Sequence, residues 1–427
     1  MTVLLLIAGL LVLVMLDVPI AIALGVVSVV AMVATSGTTE LPNIGLILFD
    51  SATGFPLITI PLFILAGAVM NASGISRRLI GLASSLVGFV RGGLSMVTIA
   101  ASIFLAEVSG SAVAGVAALG SILIPAMRRK GYPAPFAAAV TSSASTLAVV
   151  IPPSIPMILY AVMSGSSVVE LFVAGIVPGA LGGLLLMAVA YVLAVRRNYP
   201  VEEAFALRRV MRSLREAGWA LLLPVIVLGG IFTGWVTATE GAGLAVFAAV
   251  VIGGLVYREL NWKELYSAAV EGSIQTAVVM LLVATSALLS DYLTSIQAPQ
   301  QIAAAMTEMT QSPALVLALL NLFFLLVGMV LHSAAAIILV VPIVMPLVKA
   351  VGIDPVHFGL IVTLNLGIGQ QTPPVASVLV TACSIAKADL WEVTKANFPF
   401  IAVLMAVLVL VTYVSAIPLW LVNLFYR

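Results

Sequence analysis

Apolar runs of 17 residues or more recur along the chain, separated by short polar stretches. Stretches 219–235, 400–424 and 241–256 with its flanks can each cross a hydrocarbon core of roughly 30 Å, at about 1.5 Å per helical residue. The pattern predicts an all-α integral membrane protein of many spans. The first run, 1–14, could be a signal peptide. No basic residue precedes it and no clean small-residue cleavage site follows, so it is read as the first membrane segment.

Basic residues orient the spans, because short cytoplasmic loops are enriched in Lys and Arg. The densest cluster, Arg196, Arg197, Arg208, Arg209, Arg212 and Arg215, marks loop 196–216 as cytoplasmic. Walking back over 170–195 and then 133–164, which Pro152 and Pro153 break, reaches Arg128, Arg129 and Lys130 on the same side. Segment 91–128 therefore enters and leaves on one side, as a helical hairpin with the polar tip Ser109-Gly110-Ser111. Three crossings forward, 291–312 carries no Lys or Arg and lies outside. A second hairpin, 313–349, follows with its interruption at His332-Ser333.

The two regions match at an offset of 221 residues. Pro125 pairs with Pro346, Gly131 with Gly352, Pro152-Pro153 with Pro373-Pro374, and Ala161 with Ala382. This reads as an internal repeat. Five spans separate the hairpins, and an odd number inverts the second copy, the arrangement in which secondary transporters place substrate and ion sites at broken helices.

Composition narrows the function classes. Of 427 residues 63% are hydrophobic and 8% charged, against about a quarter charged in soluble proteins. The single cysteine, Cys383, excludes a disulfide scaffold or a cysteine metal cluster. The net charge of +1, with its cations in loop clusters and no stripe, points to no nucleic-acid partner. No phosphate loop, His-x-x-x-His pair or Cys pair occurs, so the chain is read as no enzyme and as no hydrolyser of ATP.

Chemistry concentrates at the breaks. Thr141, Ser142, Ser145 and Thr146 precede Pro152 and Pro153, which strip backbone donors and free carbonyls inside the membrane. Hydroxyls beside free carbonyls make an oxygen cage suited to Na⁺. Asn365, Gly367, Gln370, Gln371 and Thr372 repeat the arrangement before Pro373 and Pro374. The competing reading is that Ser and Thr bond their own i−4 carbonyls and the prolines only kink. At the tips, Ser109, Gly110, Ser111, His332 and Ser333 stand where a returning half-helix presents free N–H groups, which attract carboxylates; the alternative is a simple kink. The candidate Na⁺ ligands are thus Ser109, Gly110, Ser111, Thr141, Ser142, Ser145, Thr146, His332, Ser333, Asn365, Gly367, Gln371 and Thr372. The candidate substrate contacts are Ser111, Ser154, Ser333 and Gln370. No site is assigned to any metal other than Na⁺.

Acids in apolar segments need a reason. Glu107 could pair with a cation, carry a proton or bond an amide. Glu240 opens a helix and reads as structural, Asp291 as interfacial, and His357 as structural at a helix start.

The ordered motifs Ser109-Gly110-Ser111, 120–127, Gly131-Tyr132, 136–141, Ile151-Pro152-Pro153-Ser154-Ile155-Pro156, 171–179, Thr239-Glu240 and Thr372-Pro373-Pro374-Val375 run along nearly the whole chain. They resemble the large permease subunit of tripartite ATP-independent periplasmic (TRAP) transporters, the DctM type. Two positions depart from that pattern: Glu107, where the family often has a small residue, and Gln370-Gln371, where many members are apolar. The resemblance implies a Na⁺-driven importer of the elevator type in a bacterial inner membrane. It also implies a separate four-helix membrane subunit of the DctQ type, a periplasmic binding protein of the DctP type, and a small organic acid such as a C4-dicarboxylate, keto acid or sugar acid. Na⁺ is co-transported and no organic cofactor is expected; membrane lipid surrounds the protein. In these terms 1–90 is N-terminal scaffold and 91–168 is transport repeat 1, made of hairpin 91–128 and broken helix 133–164. Scaffold and connecting helices follow over 169–311, transport repeat 2 over 312–390 with hairpin 313–349 and broken helix 355–386, and a C-terminal helix over 391–427. A stand-alone cation/carboxylate symporter is the nearest alternative, and a channel or purely structural subunit is a more distant one.

Overall fold

A computed structural model describes residues 2–16, 18–109, 111–201, 204–301, 304, 310 and 312–427. The described elements are all helical, and nine helices are long and apolar enough to cross a membrane. In chain order they begin with α1 (Thr2–Met15), α2 (Ile20–Ser36), α3 (Leu41–Thr53), α4 (Thr59–Ala72) and α5 (Ile75–Val87). The first hairpin is α6 (Gly93–Ser109) and α7 (Ala112–Arg129), and the first broken helix is α8 (Ala134–Thr146) and α9 (Ile155–Ser164). Then come α10 (Val168–Arg196), α11 (Leu207–Phe232), α12 (Ala238–Val251) and α13 (Trp262–Ser295). The second hairpin is α14 (Pro313–Val330) and α15 (Ser333–Ala350), the second broken helix α16 (Pro355–Gly369) and α17 (Ser377–Ala386). The chain closes with α18 (Leu390–Tyr413) and α19 (Ala416–Phe425).

The repeat offset reappears in the elements. Both ends of α15 lie 221 residues after those of α7, and α16 starts 221 residues after α8. Each broken helix stops at its Pro-Pro pair, where backbone donors are missing, and both pairs are cis.

Two expectations change. The basic loop expected over 196–216 ends at Ala206, and 207–216 forms the start of α11. Its Leu, Met, Arg and Glu residues are strong helix formers, and apolar residues at 207, 210, 211 and 214 give it one apolar face. The apolar run 400–424 is also not one span: α18 ends at Tyr413 and α19 restarts at Ala416. Pro418 donates no hydrogen bond and its ring would clash with the Val414 carbonyl, so the helix breaks there.

The helices pack in two groups. In one, α4 lies on α12 and α13, α2 and α3 lie on α13, and α5 lies on α11. In the other, the returning arm of each hairpin packs on the opposite broken helix: α7 on α17, and α15 on α9. Helix α10 packs with α18 and α19 in this second group. The groups meet where α13 passes α15 and where α4 and α5 reach α6.

Charged side chains fasten the ends. At the basic end Arg78 Nη2 sits 2.7 Å from Glu259 Oε1, and its guanidinium stacks 3.7 Å above the Tyr257 ring. The Arg78 hydrogen bond holds the Glu259 carboxyl below its usual range. At the other end Arg427 bridges Glu170 at 2.9 Å and Asp354 at 2.5 Å. Glu240 closes a capping box with Thr237: its carboxylate accepts the Thr237 amide at 2.8 Å, and its own amide donates to Thr237 Oγ1 at 3.2 Å. Asp291 is exposed on α13. His357 is buried in the first turn of α16, with Nε2 2.7 Å from the Val411 carbonyl.

Candidate functional site between the hairpin tips

Both tips and both breaks meet at one cavity of about 450 Å³. The first tip contributes Ser111 and Ala112, the second His332 and Ser333, and the breaks Val149, Ile155, Pro156 and Gln370. The opposite wall is Ile64 of α4 and Gln275 with its neighbours on α13. No Lys or Arg lines it among the described residues. Helices α7, α9 and α15 all begin at this cavity. Ser111 and His332, in the N-cap positions of α7 and α15, make no side-chain cap, so the first amides of both helices are not capped by them. Helix N-termini carry partial positive charge and attract anions.

A second cavity of about 530 Å³ shares Ile64, Ala114, Ala117 and Gln275 with the first. It runs past Asn71 and Glu271 to Gly74 and the exposed Arg77, at the basic end of the molecule. The tip cavity therefore continues toward the side that carries Arg128 and Arg196.

Behind the cavity lies a buried polar layer. Thr141 Oγ1 donates to the Ala137 carbonyl at 2.8 Å, Thr146 Oγ1 to Ser142 at 3.1 Å and Thr372 Oγ1 to Ile368 at 2.9 Å, each four residues back. Ser142 and Ser145, one helical turn apart on α8, are fully buried with Oγ atoms that meet no partner. Asn365 donates to Asn321 Oδ1 at 2.5 Å and to the Ile361 carbonyl at 2.8 Å, while its Oδ1 meets no partner. Gln371 Oε1 accepts from Asn397 Nδ2 at 3.0 Å and lies 2.8 Å from Ser143 Oγ; its Nε2 meets no partner. Gln370 Nε2 donates to Ser333 Oγ across the second tip. Gly367 lies against Thr146 and Val149, where a Cβ would fall 2.9 Å and 2.6 Å from their methyls.

The structure thus gathers Ser111, His332, Ser333 and Gln370 at the cavity and sets Ser142, Ser145, Asn365 and Gln371 in the layer behind it. Ser154 is buried away from the cavity lining: it caps α9, accepting from the Met157 amide at 3.4 Å and donating to the Val149 carbonyl at 2.8 Å. Gly110 and the side chains of Glu107 and Ser109 lie outside the described residues.

Over residues 7–417 the chain matches the family model described as the tripartite ATP-independent periplasmic transporter, DctM component. The chain belongs to the DctM family. This large TRAP permease subunit is a multi-pass membrane transport protein and not an enzyme. It is 39% identical to the C4-dicarboxylate TRAP transporter large permease protein DctM of Pseudomonas aeruginosa, over 88% of each chain. It is 42% identical to the isethionate TRAP transporter permease protein DctMQ of Oleidesulfovibrio alaskensis, over 94% of this chain and 64% of that longer protein. Its fold is that of the YdaH transporter of Alcanivorax borkumensis, with a TM-score of 0.66, 16% identity, and coverage of 100% of this chain and 99% of that one.

Three polar residues of this DctM protein escaped the sequence reading: Asn321, Asn397 and Gln275. Asn321 stands alone in an apolar helix, the same signal that singled out the acids, whereas Asn397 follows Glu392, Thr394 and Lys395 in the polar start of α18. Gln275 carries no such signal and is identified by its place in the cavity wall alone.

Proposed function

We propose that this DctM protein is the membrane carrier of a TRAP importer, moving a small organic anion together with Na⁺ across a bacterial inner membrane. One observation carries the reading: three helix N-termini and no basic side chain, among the described residues, surround the cavity between the tips. Such a site neutralises a carboxylate or sulfonate by backbone dipoles, at no desolvation cost for a cationic side chain. The relatives named for C4-dicarboxylate and isethionate carry anions of these two classes, which supports a small organic acid as cargo.

For the cation, the supporting observations are the Ser142, Ser145 and Asn365 oxygens without partners. The C-terminal ends of α8, α16 and α14 lie in the same region, each with a partial negative charge. Bound Na⁺ would draw these oxygens together, order the tips and so complete the anion site, which couples the two. The matched boundaries of the repeats, inverted by the odd number of intervening spans, support an elevator. In it, the group holding both hairpins slides past α2–α5 and α11–α13, and the tip cavity's continuation toward Arg77 corresponds to an inward-facing state. A small DctQ-type subunit would pack on the fixed helices, and a DctP-type periplasmic protein would deliver cargo.

The test is uptake of radiolabelled organic acids into liposomes holding this chain with its small partner, with and without an inward Na⁺ gradient and the soluble binding protein. The proposal predicts uptake only when both are present. Uptake by the membrane chains alone would support the stand-alone symporter, and downhill flux indifferent to Na⁺ would contradict the cation sites.

A further inference from the structure

The first turns of α11 do not look like an ordinary loop margin. Arg208, Arg209, Arg212 and Arg215 fall at spacings of three and four, so like charges face one another along one side of the helix. No acidic residue lies in its first turn, and Arg208, Arg212 and Arg215 make no ion pair with a described residue. All four arginines are exposed, and so are Phe205, Leu207, Met211 and Leu214 between them. Crowded cations interleaved with exposed apolar side chains suit a surface that is half water and half acyl chain.

Beside them lies a groove of about 340 Å³ between the end of α5 and the start of α11. Ser84, Ser85 and Gly88 form one wall and Ala204, Phe205 and Arg209 the other. Phe89 and Phe205 meet edge to face at 5.1 Å at its mouth. The groove is polar within, cationic along one rim and aromatic at the mouth. Positive-inside orientation puts it at the cytoplasmic leaflet, whose anionic lipids give a negative surface potential.

We propose that this groove binds the phosphate of an anionic phospholipid headgroup from the cytoplasmic leaflet. The Ser84 hydroxyl and Arg209 face the phosphate, Arg208, Arg212 and Arg215 supply the surrounding charge, and the acyl chains lie along Phe205, Leu207 and Met211. Because α5 joins α4 to the first hairpin and packs on α11, a bound headgroup clamps that connecting helix to α11.

The experiment is thermal unfolding and native mass spectrometry of the purified chain in neutral detergent, titrated with phosphatidylglycerol, phosphatidylcholine or inorganic phosphate. The wild type should gain thermal stability and retain bound lipid with phosphatidylglycerol only. The R208Q/R212Q/R215Q variant should bind it about tenfold or more weakly. The charge-matched control R129Q/R258Q/K263Q, altered elsewhere on the cytoplasmic face, should bind as wild type. Ser84→Phe, which fills the groove without changing charge, should also lose binding. Equal binding of phosphatidylcholine, an equal effect of inorganic phosphate, equal weakening in the control, or full binding by Ser84→Phe would each overturn the proposal. None of these readouts depends on transport, so the result stands apart from the proposed function.

Discussion

The side-chain oxygen of Gln371 lies 2.8 Å from Ser143 Oγ, so the break in the second half is fastened to α8 of the first. Asn397 of α18 completes the group: its Nδ2 donates to the same oxygen at 3.0 Å, and its Oδ1 lies 2.7 Å from Ser143 Oγ. All three side chains are buried.

Removing one member strands the others. Asn397→Leu leaves the Gln371 amide with fewer partners in an apolar interior and should destabilise the protein by about 1–3 kcal/mol. Ser143→Ala removes a donor that two acceptors share and should cost about 0.5–1.5 kcal/mol. Thermal unfolding in detergent checks the order; a Ser143→Ala loss exceeding that of Asn397→Leu would contradict it.

The second hairpin touches its broken helix backbone to backbone. A Cβ on Gly369 would fall 2.6 Å from the Gly328 carbonyl carbon and 2.7 Å from its Cα, so neither chain can yield through a side-chain rotation. Gly369→Ala should therefore lower stability by about 1–3 kcal/mol and abolish uptake. Gly218→Ala on α11, with open space around the added methyl, should be neutral or slightly stabilising. Uptake and melting temperature of the two variants give the comparison.

Asp354 gives the acid side of the stability profile a specific origin. Burial pushes its carboxyl up, but Arg427 and the amides of His357 and Val356 more than offset this and hold it below the ordinary value. A depressed carboxyl contributes stability above its unfolded value, about 3.9, and loses it as pH falls through the lower folded value. Arg427→Gln should weaken that acid-side loss, measured as melting temperature between about pH 3 and about pH 7. An unchanged pH profile would remove Arg427 from the account.

The hairpins, tips and breaks were legible because Pro, Gly and Ser punctuate apolar runs, and Pro125/Pro346 and the Pro-Pro pairs repeat at one offset. What pairs with what was not: Ser143, Gln371 and Asn397 meet only once α8, the second break and α18 pack together. Charge also hid structure, since the arginines of 207–216 suggested a loop where Leu207, Val210, Met211 and Leu214 form a helix face. Thr141, Thr146 and Thr372 hydrogen-bond their own helix carbonyls, whereas Ser142 and Ser145 in the same run do not. The residue types alone do not separate these behaviours.

Ser142 and Ser145 also test the central claim most directly. A buried hydroxyl without a partner is a burden to the fold, so S142A/S145A should be at least as stable as wild type in Na⁺-free buffer. If these oxygens hold the transported cation, the same variant should need about tenfold more Na⁺ for half-maximal uptake in liposomes with the small subunit and binding protein. That rise, with stability intact, is the predicted result. A Na⁺ dependence indistinguishable from wild type would contradict the placement of the cation in this layer.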